Sequence, residues 1–173
     1  MARVYVGACS WSDFTSLYPP GLPANQQISY YARHFMLVEI DSTFYRLMPQ
    51  RNMALWAERT PPGFVFDVKA FRQLTYHDRD NAPTAEVAAK FSASLEPLRA
   101  TGKLGALHLQ FAPWVTWGED NLAYIRGLRG WFPQDELAVE LRHRSWYAAE
   151  PYARLVQALR AERIGLTIVD EPQ

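Results

Sequence analysis

Polar and charged side chains alternate with apolar ones in four segments of this sequence. The segments are residues 37–41, 64–69, 107–111 and 137–142. A period of two is typical of a β-strand, so the polar side chains of each segment would share one face. Burying Glu, Asp, Lys, His and Arg side by side is costly unless they pair with one another or bind a ligand. The pattern therefore predicts a functional site on these strands.

Four of these residues have side chains suited to catalysis. Glu39 or Glu140 would act as general acid or base, and Lys69 and Arg142 would stabilise developing negative charge. A lysine within a strand can also lose proton affinity and act as a base or nucleophile. The structural alternative is an ion-pair network, in which Lys69 forms a salt bridge to Glu140 or Asp67.

The predicted ligand-binding residues come from the same strands and from the loops after them. Aromatic rings beside charged groups suit a sugar ring, and arginines suit phosphate or carboxylate. The ligand we expect is small and polar, either sugar-like or phosphorylated. Packing beneath the loops is the simpler role for most of the rings. The ligand-binding residues that we predict are Trp11, Asp41, Tyr45, Asp67, His108 and Trp146.

The reaction stays open, because paired carboxylates do not select among a hydrolase, an isomerase and a lyase. The alternatives to an enzyme are a non-catalytic protein that binds a nucleotide or single-stranded nucleic acid, and an inactive truncated relative. The cofactor stays open, and residues 7–10 lack the glycines of a dinucleotide fingerprint. Some residues are of metal-ligating types, but their spacing is not tight, and we assign no metal site: Glu39, Asp41, His108, Glu140 and Asp170.

Length and composition place limits on the class of protein. The chain has 173 residues, 49% of them hydrophobic, which predicts a single domain over residues 1–173. Its 18 basic and 18 acidic residues balance, which argues against extended nucleic acid as a partner. One cysteine, Cys9, favours a reducing compartment and hence the cytoplasm. No apolar run is long enough to suggest a membrane span.

Strand-like segments alternate with helical patterns along the whole chain. We predict strands at about 3–9, 36–41, 63–69, 104–111, 137–143 and 164–170. Thr84 would cap a long helix that Pro97 kinks or breaks, and Gly102 and Gly165 would each follow the end of a helix. Such β/α alternation predicts a parallel sheet with helical crossovers. Charged residues on one strand face favour a TIM-like β/α barrel over a doubly wound open sheet.

Several motifs resemble those of the YecE-like family, also known as domain of unknown function 72. The matching segments extend over nearly the whole chain. The resemblance implies a TIM-like β/α barrel, but it implies no reaction and no catalytic residues. The segments that carry it include VGACSWS at 6–12, VEIDSTFYR at 38–46, FDVKA at 66–70, VELRHRSW at 139–146 and VDEP at 169–172.

The sequence departs from that family in length. Family members normally continue past the segment at 169–172, and a complete barrel takes about 250 residues. We count about six β/α units, so the expected barrel is incomplete in this chain. The chain would be a fragment, a truncated relative, or an open sheet completed by another copy. Open sheet edges would then favour self-association.

Overall fold

A computed structural model describes residues 4–170 of the chain. It contains a six-stranded parallel sheet with the strand order β1-β2-β3-β4-β5-β6. The described part of the sheet is open, with β1 and β6 as its edges. The predicted α/β fold with a parallel sheet is confirmed, while the single domain over 1–173 stays a prediction. The strands are β1 Gly7–Cys9, β2 Leu37–Ile40, β3 Val65–Lys69, β4 Leu104–Gln110, β5 Glu136–Glu140 and β6 Ile164–Leu166.

Helices connect successive strands, as parallel pairing requires. No helix within residues 4–170 is long and apolar enough to cross a membrane. Short 3₁₀ turns follow β1, β3 and β5. The α-helices are α1 Ala24–Tyr31, α2 Ser42–Tyr45, α3 Gln50–Glu58, α4 Ala85–Ser94, α5 Glu96–Ala100, α6 Glu119–Trp131 and α7 Ala149–Glu162.

Local sequence signals explain where several helices begin and end. The Thr84 hydroxyl accepts a hydrogen bond of 3.2 Å from the Val87 N–H, which confirms the predicted cap of α4. Pro97 lies in the first turn of α5, and the helical path is broken between Ser94 and Glu96. Gly102 has a φ of 65° after α5, the left-handed conformation that favours glycine at a helix end.

The chain divides into two compact units, and the first comprises residues up to Lys69 together with 91–105. Its core contains Val38, Ile40, Phe66 and Val68, which alternate with the polar residues of β2 and β3. The buried Lys103 ammonium donates hydrogen bonds to acceptors at the end of α3. The acceptors are the carbonyl oxygens of Ala57 and Thr60, at 2.5 and 2.6 Å, and the Thr60 hydroxyl, at 3.0 Å.

The second unit comprises residues 70–90 and those from Ala106 onward. Leu107, Leu109 and Val139 are fully buried on β4 and β5, so these strands also keep their apolar side chains on one face. The buried positions of α6 and α7 follow a helical spacing and cover the unit's core. They are Leu122, Ile125, Leu128, Leu155 and Leu159.

The structure also corrects details of the prediction. The strands are shorter than expected at most ends, and residue 3 and residues 171–172 lie outside the described part. Gly165 follows the end of α7, as expected, and it lies within β6. Arg163 ends that helix with a φ of 52°, and its backbone N–H donates to carbonyls of the last turn. A glycine or a short polar side chain is more usual in this left-handed conformation than an arginine.

Candidate functional site

Strand pairing brings the polar residues of the first unit together on one face. In the parallel ladder, Glu39 is the register partner of Cys9 on β1 and of Asp67 on β3. Adjacent strands in a sheet lie about 4.8 Å apart, so side chains in register are direct neighbours. Glu39 and Asp67 are both half-buried. The first unit therefore places two predicted site carboxylates beside each other.

Lys69 lies at the carboxyl end of the same face. Its ammonium nitrogen is 3.6 Å from Asp41 Oδ1 and 5.5 Å from the centre of the Phe44 ring. Thr43 fixes this strand end, because its hydroxyl donates to the carbonyl oxygens of Lys69 and Ile40 at 2.6 and 2.8 Å. The sequence had not paired Lys69 with Asp41. The Lys69 ammonium therefore has both a carboxylate, from Asp41, and an aromatic ring, from Phe44, as direct neighbours.

Cys9 lies on the edge strand of this unit. Its side chain is exposed. Its sulfur is 3.5 Å from Glu39 Oε2. Partial burial, and then the negative charges of Glu39 and Asp41, raise the pKa of the thiol to about 11. Because only the thiolate is a good nucleophile, this raised pKa lowers the reactivity of Cys9 at neutral pH.

Glu140 is the centre of a hydrogen-bonded cluster in the second unit. Its side chain is 4% exposed, and His108 Nε2 lies 2.9 Å from Oε2. Gln110 Nε2 donates to Oε1 at 3.0 Å, and Arg142 Nε also donates to Oε1. Gln110 and Glu140 are register partners on β4 and β5. The second unit thus brings together three predicted site residues, His108, Glu140 and Arg142.

Opposing effects act on the charge of Glu140. Burial raises the pKa of a carboxyl group, but the hydrogen bonds from His108 and Arg142 and the positive charge of Arg142 outweigh it. The pKa of Glu140 is therefore below its usual value, and the side chain is ionised at neutral pH. An ionised carboxylate that contacts an imidazole can orient it for proton transfer and stabilise its charged form.

The three predicted aromatic ligand-binding residues have different environments. Trp11 packs edge-on against Trp56, with 5.1 Å between the ring centres. Tyr45 is 73% exposed at the end of α2. Trp146 is fully buried, and its indole N–H donates to the Val115 carbonyl at 2.8 Å. Trp11 and Tyr45 have ring surface exposed to solvent. Trp146 instead anchors the loop after β5 in the core through its hydrogen bond to Val115.

Gln110 is the site residue that sequence reasoning left out of the predicted set. It occupies the same strand face as His108, two positions later, and it contacts Glu140 directly. The period of two was the signal that could have included it. Asp170, considered as a metal ligand, is exposed. Across residues 4–170, no three His, Cys, Asp or Glu side chains form a group that could hold a metal ion.

Comparison with known proteins identifies the family. The sequence model of the family described as protein of unknown function DUF72 matches residues 5–173. This chain belongs to the DUF72 family. A curated relative, UPF0759 protein YunF of Bacillus subtilis (strain 168), is 34% identical over 173 residues. That match covers 98% of this chain and 61% of YunF.

Solved structures of DUF72 proteins share the fold. A DUF72 family protein from Enterococcus faecalis V583 superimposes with a TM-score of 0.88 at 29% identity, covering 99% of this chain and 62% of that one. A DUF72 family protein from Thermotoga maritima MSB8 gives a TM-score of 0.83 at 32% identity, covering 99% of this chain and 66% of that one. The chain therefore spans about three fifths of the length of these DUF72 relatives.

Proposed function

We propose that this DUF72 protein binds, and chemically transforms, a small polar ligand at the carboxyl ends of its strands. The Glu140 cluster is the observation that carries the proposal. A nearly buried, ionised carboxylate at the end of β5 is held by an imidazole and an amide of β4 and by the guanidinium of Arg142, two residues later. In such a set His108 transfers protons, Glu140 orients it, and Arg142 attracts an anionic or electron-rich group.

The lysine cluster of the first unit supports the same class of ligand on its own. Lys69 has an aromatic ring and a carboxylate beside it, and it keeps 22% of its side chain exposed. A positive charge that is partly accessible can bind a phosphate or carboxylate oxygen. Glu39 and Asp67 would accept hydrogen bonds from ligand hydroxyl groups. A sugar-like or phosphorylated molecule provides both kinds of group.

We extend the proposal to the architecture and the cell compartment. The six β/α units would belong to a TIM-like barrel, whose active sites lie at the carboxyl ends of the strands. This agrees with the position of Lys69, at the last residue of β3, and of Glu140, at the last residue of β5. The cytoplasm is the proposed location, on the basis of the single cysteine.

The proposal is tested by a ligand screen on the 173-residue chain. Thermal shift and calorimetry would compare sugars, sugar phosphates, nucleotides and oligonucleotides, followed by NMR detection of product from any compound that binds. We expect a sugar or sugar phosphate to bind, and Arg142→Gln to weaken it by about tenfold. The exposed Arg160 of α7 gives the matched control, Arg160→Gln, which should bind normally.

A further variant, at His108, separates chemistry from binding. His108→Gln should abolish product formation while ligand binding persists, because the amide can hydrogen-bond to Glu140 but cannot transfer a proton. Ligand binding that yields no product, and whose affinity neither Arg142→Gln nor His108→Gln changes, would contradict the proposed site. Binding of oligonucleotides alone, weakened by salt, would instead indicate a nucleic-acid-binding protein.

We also propose self-association through the sheet edges. Val4 and Val6, just before β1, are 87% and 69% exposed, and Ile168 after β6 is 86% exposed. Exposed apolar residues beside an unpaired strand favour pairing with another chain. Light scattering at increasing concentration should show a dimer or larger species. A monomer at every concentration would contradict this.

A further inference from the structure

A separate pocket lies wholly within the second unit, between the loop after β3 and the loop after β4. It encloses about 470 Å³, which is in the size range of small-ligand sites. Tyr76, Asp78 and Arg79 line it from the first loop, and Trp114 and Asn121 from the second loop and the start of α6. None of the polar strand residues discussed above is among its lining residues.

The loop that carries Arg79 is held in shape by its own side chains. The Asp78 carboxylate accepts hydrogen bonds from the Asp80 N–H and the Asn81 amide, both at 3.2 Å. At its far end, Gln73 Nε2 donates to the Ala82 carbonyl at 2.7 Å. A loop ordered in this way spends less entropy on binding than one that must fold around a ligand.

The charges of Asp78 and Arg79 are compensated differently. Asp78 lies 3.7 Å from Arg72, and its oxygens are engaged within the loop. The Arg79 guanidinium stacks on the Trp114 ring at 4.1 Å from the ring centre. Within residues 4–170, no carboxylate pairs with Arg79. Stacking fixes the plane of the guanidinium and leaves its N–H edge available for a bidentate anion.

The other groups in the pocket suit the rest of such a ligand. Tyr76 and Trp114 provide ring surface, and Trp114 is 44% exposed. Asn121 donates its amide N–H to the Thr116 carbonyl at 2.8 Å, which orients its side-chain oxygen as an acceptor for a ligand hydroxyl. The pocket therefore combines one fixed cation, aromatic walls and a hydroxyl acceptor.

We propose that this pocket is a second binding site, for a small molecule in which a ring carries a phosphate or carboxylate group. Arg79 binds the oxyanion through its N–H edge, and the rings of Tyr76 and Trp114 contact the body of the ligand. The site does not depend on the function proposed above, since it shares no lining residue with the strand clusters.

Matched pairs of charged and uncharged probes test the site on the 173-residue chain. The pairs are ribose 5-phosphate with ribose, adenosine 5′-monophosphate with adenosine, and benzoate with benzamide. The first two pairs report phosphate and the last reports carboxylate. We expect at least one anionic probe to bind at millimolar concentration or below, and about tenfold more tightly than its uncharged partner. Inorganic phosphate alone should bind more weakly than the organic phosphates.

Two variants locate the binding. Arg79→Gln should weaken the anionic probe by about tenfold, because it removes the charge, whereas Arg160→Gln should not. Trp114→Phe identifies the Trp114 indole N–H signal by NMR, and in the unsubstituted chain that signal should shift on titration. Arg142→Gln leaves this binding intact, so the two sites are distinguishable. Absence of binding by all three anions, or binding that Arg79→Gln leaves unchanged, overturns the proposal.

Discussion

The two units use the same sequence pattern and obtain different polar clusters from it. In the first unit, Lys69 and Asp41 are 3.6 Å apart and keep 22% and 29% of their side chains exposed. In the second, Glu140 keeps only 4% and accepts hydrogen bonds from three neighbours. One cluster is open and held by charge; the other is closed and held by directed hydrogen bonds.

The difference shows that alternation along a strand determines the face of a side chain but not its environment. Water partly screens a half-buried ion pair such as Lys69–Asp41, so its contribution to stability is smaller than that of a fully buried one. A buried carboxylate has lost its water and depends on its donors. The Glu140 cluster should therefore dominate stability, and the Lys69 cluster should respond more readily to ligands and reagents.

Removing Glu140 should have the largest effect. Glu140→Ala leaves His108 and Arg142 without their shared acceptor, and we expect it to lower the free energy of unfolding by about 3 kcal/mol. Urea denaturation measures the change. The matched variant in the open cluster, Asp41→Ala, should lower the same quantity by less than about 1 kcal/mol. Equal losses would show that the two clusters do not differ in the way described.

Gly105 tests the packing beside Asp67, which lies on the same face of β3 as Lys69. A Cβ atom at Gly105 would overlap Asp67 Oδ1 and the Val65 side chain. Gly105→Ala should therefore cost about 2 kcal/mol in the free energy of unfolding. Gly127→Ala is the control in the second unit, where a Cβ on α6 meets only open space. It should stabilise the chain by about 0.5–1 kcal/mol, and thermal denaturation measures both variants.

The sequence predicted the strand faces but not the partners across them. Val38 and Ile40 are buried and Glu39 is half-buried, as a period of two requires. That Asp41 is the carboxylate beside Lys69 depends on the ladder register, which long-range packing sets. Helix signals with a local cause, such as Thr84 and Pro97, were predictable.

Burial of loop aromatics was not predictable from the sequence. Trp146 and Tyr45 both follow strand ends, yet the first is fully buried and the second is 73% exposed. The distinction depends on whether the loop folds back onto the core. Trp146 finds an acceptor in the Val115 carbonyl, from a segment distant in sequence. No local pattern encodes such a contact.

Acid should weaken the closed cluster selectively. The folded state holds the pKa of Glu140 below its ordinary value of 4.5, so the unfolded chain binds the proton more tightly. This stability is present above the ordinary pKa and is lost as the pH falls through the lower folded pKa. Urea denaturation between neutral pH and pH of about 3 should show the loss.

Substitution of Glu140 separates its contribution from those of other acids. Glu140→Gln should flatten the dependence of the unfolding free energy on pH, because the amide does not titrate. Glu136→Gln is the matched control, since Glu136 is exposed on the same strand. A pH dependence that is equal in the two variants would assign the acid sensitivity to other residues.

The smallest effect should appear in the alkylation rate of Cys9, because the negative charge of the neighbouring Glu39 raises the pKa of the thiol. Burial first, and then the charge of Glu39, raise the thiol pKa to about 11, so alkylation by iodoacetamide at pH 8 should be slow and should accelerate toward that value. Glu39→Gln removes the nearer charge and should accelerate alkylation at pH 8 by about threefold, or half a pKa unit. Glu58→Gln, on the exposed side of α3, should leave the alkylation rate unchanged.

An alkylation rate that Glu39→Gln leaves unchanged would mean that water screens even neighbouring charges on this strand face. A measurable acceleration means that the Glu39 carboxylate, whose Oε2 lies 3.5 Å from the Cys9 sulfur, raises the pKa of the thiol.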